Sequence, residues 1–163
     1  MTFLLFITFL LCVTYTVLFY FFPFFFNENK QVVKPKLFSY LLIIALSIIG
    51  YYISFNIPDP IFANRFLHGF GGGFMAFFTC FLAARDSKIT SGKLRFFILS
   101  ALIVTALGVG NEILECILQY YNIMISADTI NDTWLDLISN TTGMLIASMC
   151  FVSFISKPHP LER

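Results

Sequence analysis

Charge is scarce in this sequence. Lys, Arg, Asp and Glu make up 12% of its 163 residues, against about a quarter in a typical soluble domain. With 58% hydrophobic residues and a mean hydropathy of +0.85, that scarcity excludes water as the main solvent. The formal net charge is +1, so nothing points to nucleic acid or to a soluble partner reached by an acidic tail. Closely spaced cysteines are missing too. Cys12, Cys80, Cys116 and Cys150 lie one each in separate apolar stretches, without the spacing of zinc or redox motifs, and read as small hydrophobes. Sequence leaves open whether any of them pair.

Other absences narrow the field further. The run 1–26 has no basic start and is longer than the roughly 7–15 residues of a signal-peptide core, so it is expected to stay as an uncleaved helix. No lipidation signature stands at either end, and the tail after Ser156 is too short to fold separately, which makes 1–163 one membrane domain. No internal repeat of the kind that builds many transporters is visible. Neither a Ser-His-Asp order nor a multi-histidine zinc set supports a specific hydrolase.

What the chain does have is long apolar runs. A bilayer core needs roughly 20 apolar residues per helix, and five stretches qualify: 2–26, 37–57, 64–84, 96–121 and 134–156. The expected fold is an all-α transmembrane bundle. Pro23, Pro35, Pro58 and Pro60 stand at or near the ends of these stretches, where a missing backbone donor costs least. The first and third connections are basic, with Lys30, Lys34 and Lys36 in one and Arg85, Lys88, Lys93 and Arg95 in the other. The second and fourth hold Asp59, Asp128 and Asp132 without Lys or Arg. The positive-inside rule then places the N-terminus outside and the C-terminal tail, with Lys157 and Arg163, in the cytoplasm of a plasma-membrane multi-pass protein. Arg65, at the outer start of the third stretch, is the exception.

Polar residues inside these stretches are costly, at about 2.5–3.5 kcal/mol each on insertion scales. Gly108, Glu112, Glu115 and Gln119 share one stripe of the fourth helix, and Asp132, Asp136, Asn140 and Gly143 share one stripe of the fifth. His68 precedes Gly72 by one turn in the third. At roughly 1.5 Å of rise per residue, His68, Glu112, Glu115, Asp136 and Asn140 converge on similar depths near the outer ends of three helices. One outward-opening polar pocket accounts for that agreement. Gly69 and Gly73 have GxxxG spacing and allow a neighbouring helix to come close, and the segment lacks the Lys of a phosphate-binding loop. Blander readings exist for each residue singly: His68 as a hydrogen-bonded interfacial side chain, Glu112 as a protonated buried acid, Asn140 as interhelical glue, Asp132 as the cap of the fifth helix. Trp134, Tyr120 and Tyr121 read as an aromatic belt.

The order of these pieces resembles the VanZ-like family of small bacterial membrane proteins. The resemblance covers about 65–150 and is carried by His68 with its glycines, by Glu112-Ile-Leu-Glu115 after Gly110-Asn111, and by Asp136-x-x-x-Asn140-x-x-Gly143. It implies a cell-envelope location and an association with glycopeptide resistance. Many relatives carry an Arg just before the aspartate helix, where this chain has Ala127 to Asp132, and often Gln at the position of Glu115. The pocket here is correspondingly more acidic.

Three functions fit these residues. In an enzyme acting on a lipid or lipid-linked envelope substrate, Glu112 or Glu115 would be the general acid or base, with His68 and Asp136 positioning water or a metal. His68, Glu115 and Asp136 would suit Mg²⁺ or Mn²⁺ better than Zn²⁺. In a binding protein, the same pocket, with Asn140, Asn111 and Asp132, would hold a cation, a cationic head group or a glycopeptide-related ligand without chemistry. In a structural role, the acids would specify helix packing. The sequence does not give the oligomeric state.

Overall fold

The computed structural model describes residues 2–26, 34–122 and 130–155. Five helices make up the fold: α1 Thr2–Phe25, α2 Leu37–Phe55, α3 Pro60–Asp86, α4 Lys93–Tyr120 and α5 Ile130–Phe151, followed by a short 3₁₀ turn Val152–Phe154. Each is long and apolar enough to cross a membrane, and no strand occurs among the described residues. Lys30 in the first connection, Asp128 in the fourth, and Lys157 and Arg163 in the tail lie outside the described residues.

Three of the helices begin three or four residues before the apolar stretch that announces them. In α3 the reason is chemical: the Asp59 carboxylate accepts from the backbone N–H groups of Ile61 at 2.9 Å and Phe62 at 3.4 Å. Pro60, at the first helical position, has no N–H to satisfy. α4 ends where Asn122 takes a positive φ of 54°, a left-handed conformation that Asn tolerates and that closes helices. α1 runs through Pro23 and stops two residues later.

The outer faces are apolar, with Phe9, Phe24, Phe55, Leu102 and Met149 exposed, as a lipid-facing surface requires. Trp134, Tyr120 and Tyr121 are exposed as well. α3 is the most buried of the five helices and packs most closely against α5. A Cβ added to Gly143 would collide with the backbone carbonyl of Gly69, and one added to Gly73 with that of Asn140. The two backbones therefore touch, as the glycine spacing anticipates.

Within α3, residues His68–Met75 form a π-helix. Such wide turns occur frequently at functional sites, and here the segment is His-Gly-Phe-Gly-Gly-Gly-Phe-Met, whose glycines give little support to regular α-helix.

At the other end of α3 a second polar cluster forms. Asp86 is fully buried and accepts from Tyr15 Oη at 2.8 Å, from Arg85 Nε at 2.9 Å and from the Ser39 hydroxyl. Lys36 Nζ approaches it at 3.3 Å. Read from the sequence, Asp86 is one acid in a basic connection. The structure makes it the last residue of α3 and the point where α1, α2 and α3 are tied together.

Candidate functional site

The polar residues of α3, α4 and α5 meet at the end of the bundle opposite Asp86. His68, the first residue of the π segment, lies between two acids: Nδ1 is 3.7 Å from Glu112 Oε1 on α4, and Nε2 is 3.5 Å from Asp136 Oδ2 on α5. One donor atom from each of His68, Glu112 and Glu115 falls within 4.8 Å of the others. Asn111, one turn before Glu115, donates from Nδ2 to Glu115 Oε1 at 2.6 Å. The stripes inferred from spacing thus converge in space.

Arg65 is the residue that sequence reasoning left out. Its guanidinium bridges the carboxylates of Asp132 and Asp136 and donates to the Asp132 backbone carbonyl at 3.2 Å. Asn64 adds a donor to Asp136 Oδ1 at 3.3 Å. A cation at the start of an apolar helix needs a partner, and two aspartates one turn apart on α5 supply it. That was the available signal. The exception to the charge map is therefore an interhelical clamp between α3 and α5. Asp132 is not the α5 cap, because the helix already begins at Ile130. It stands in the first turn, where a carboxylate still suits the helix dipole, and its side chain is committed to Arg65.

Asn140 occupies the middle of the site. Its side chain lies against Gly72 on α3 and Gly108 on α4, at distances that leave no room for a Cβ on Gly72. It is buried, and neither of its amide atoms has a hydrogen-bond partner among the described residues. Glu112 Oε1 is likewise buried without one. Buried polar atoms left in this state are uncommon in folded proteins and mark places where stability is given up.

These groups open onto a cavity of about 470 Å³. His68, Asn111, Glu115 and Asn140 line it together with Thr14, Tyr51 and Asn64, while Leu10 and Leu11 of α1, Phe70 and Met75 of α3, and Leu107 of α4 contribute apolar wall. Ser47 of α2, whose hydroxyl also has no hydrogen-bond partner among the described residues, borders it. The structure brings His68, Asn111, Glu112, Glu115, Asp132, Asp136 and Asn140 to one end of the bundle. It groups His68 with Glu112 and Glu115, and engages Asp136 with Arg65 and Asn64.

Such an arrangement can hold a cation between the acids, accept hydrogen bonds at Glu112 and Glu115, and donate or accept through His68 and Asn140. It can also take apolar chain beside α1.

Comparison with known proteins gives a family and no activity. No curated protein and no solved structure matches the chain. The VanZ-like motif order is not accompanied by a match to that family. A family model described as a predicted membrane protein, DUF2238, matches residues 3–157, nearly the whole sequence. The chain belongs to the DUF2238 family of predicted membrane proteins.

Proposed function

We propose that the protein binds a membrane amphiphile, with its head group among His68, Asn111, Glu115 and Asn140 and its apolar chain along α1. The cavity carries this reading. A volume of about 470 Å³ falls in the usual range for small-molecule sites, which are mostly apolar with a few placed polar groups. Buried side chains whose hydrogen-bonding capacity is unused are available to a ligand. The charge of the connections adds the expectation that the polar site faces outward, and the resemblance to VanZ-like proteins that of a bacterial cell envelope with a lipid-linked envelope component or glycopeptide as ligand.

The row Asp136, His68, Glu112 favours a second reading, in which the head group is also transformed. Glu112 would act as acid or base and His68 would be held in place by Asp136. Binding alone returns the ligand unaltered, whereas turnover returns a modified one.

Gly71 borders the cavity, and a Cβ there meets nothing within 4 Å, so Gly71→Leu fills the space without displacing a neighbour. Detergent-purified wild type is expected to carry co-purifying lipid detectable by native mass spectrometry, and folded Gly71→Leu to have lost it. Equal lipid on both proteins would reject the reading.

A further inference from the structure

We propose that His68, Glu112 and Glu115 form a divalent-cation site, with Mn²⁺ the ion that best suits it. The inference goes beyond the amphiphile reading and does not depend on it.

Charge balance motivates the search for a cation. Asp132, Asp136, Glu112 and Glu115 place four carboxylates at one end of the bundle, and Arg65 is the one guanidinium among them. Arg65 is committed to the two aspartates. The glutamates lie beside His68 without a neighbouring Lys or Arg among the ion pairs of the described residues. Ionised carboxylates in a low-dielectric interior require a compensating charge, and a divalent ion supplies it for both.

Geometry fits the same ion. Hard divalent cations hold oxygen donors at about 2.0–2.6 Å, so donors around one ion are separated by at most about 5 Å. The three donor atoms here lie within 4.8 Å of one another. The Glu112 side chain is only 7% exposed, and its Oε1, the atom nearest His68 Nδ1, accepts no hydrogen bond. Asn140, with both amide atoms unpartnered, borders the same cavity as His68 and Glu115 and offers a further oxygen. Two carboxylates with one imidazole make a mixed donor set: carboxylates suit Mg²⁺, Ca²⁺ and Mn²⁺, and the nitrogen disfavours the first two.

The surroundings are those of a metal-bound histidine. Such residues almost always give their second ring nitrogen to a carboxylate, which fixes the tautomer and turns the other nitrogen to the ion. His68 Nε2 faces Asp136 at 3.5 Å, and Asp136 is itself held by Arg65 and Asn64. Asn111 steadies Glu115 in the same way. Asp136 is therefore a positioning residue here and not a ligand, a different set from the His68, Glu115 and Asp136 expected from sequence.

The test is Mn²⁺ binding to the detergent-purified full chain, followed by the loss of the free-ion electron paramagnetic resonance signal. Wild type is expected to bind one Mn²⁺ per chain, with nitrogen coupling in the pulsed spectrum. Glu112→Gln and Glu115→Gln, which keep side-chain shape, are expected to weaken binding at least tenfold. His68→Gln should abolish the nitrogen coupling. Asp136→Asn should retain the coupling while losing roughly tenfold in affinity, an outcome that a purely structural aspartate would not give. Circular dichroism identifies the variants that fold, and the comparison is made among those. Failure of folded wild type to bind Mn²⁺ at millimolar concentration overturns the proposal, as does binding unchanged in the folded glutamate variants. Because Mn²⁺ is the only probe, either result leaves the lipid assay free to succeed or fail by itself.

Discussion

The two ends of the bundle bury acids in contrasting ways. At one end, Asp86 collects Tyr15, Ser39, Arg85 and Lys36 around a single carboxylate that is wholly buried. At the other, Arg65 satisfies Asp132 and Asp136, while Glu112 Oε1 and the Asn140 amide have no hydrogen-bond partner among the described residues and Asn140 lines a cavity. A membrane gives buried polar groups nowhere else to turn. The closed cluster therefore acts as a structural tie among three helices, and the open one leaves hydrogen-bonding capacity unused among the described residues. The difference lies in the balance of partners, not in the residue types.

Substitutions can break this contrast or sharpen it. The largest effect is expected at the seam that carries the open end. Gly143→Leu drives a side chain into the Gly69 carbonyl, α3 and α5 separate, and no folded monomer should survive size-exclusion chromatography. Asp86→Ala leaves the Tyr15 and Ser39 hydroxyls and Arg85 without their acceptor and should cost roughly 3–5 kcal/mol, read as a lowered melting temperature in detergent. Lipid bound per folded molecule should stay unchanged. Lipid lost together with Asp86 would mean that the two ends are not separable.

Arg65→Gln should cost less, about 1–3 kcal/mol, because Gln keeps an amide donor and Asn64 still donates to Asp136. It should also weaken ligand binding, since Asp136 then no longer steadies His68. Asn140→Leu sharpens the contrast most. It removes two unpartnered buried polar atoms and should leave stability within about 1 kcal/mol of wild type, yet lower lipid occupancy. A large destabilisation there would place Asn140 with Asp86 as structural glue.

The legible parts of this fold are those written in periodicity and length. Five apolar stretches, the α4 stripe through Glu112 and Glu115, and the α5 stripe through Asp136 and Asn140 follow from 20-residue spans and 3.6-residue turns. The early starts of α4 and α5 were hidden because Lys93 and Arg95, and Asn131 to Thr133, make their first turns polar, whereas in α3 the residues Pro60 to Ala63 read as part of the preceding connection. Asp59 and Pro60 could have corrected it in α3, since together they spell a capped start. The π segment has no periodic signature beyond its glycines. Arg65 registered as a charge out of place, and asking which acid it neutralises would have led to Asp132 and Asp136. The Asp86 cluster and the cavity beside α1 depend on which helices touch, and an almost uniformly apolar α1, whose Tyr15 alone reaches a distant acid, does not declare its neighbours.

The most direct test of the account is the bound-lipid complement of wild type beside a His68→Ala, Glu115→Gln double variant, measured by native mass spectrometry on protein of matched helicity. The account predicts a defined lipid on wild type that is absent from the folded variant. The same lipid on both would contradict it, and the open end would then join Asp86 as a feature of packing.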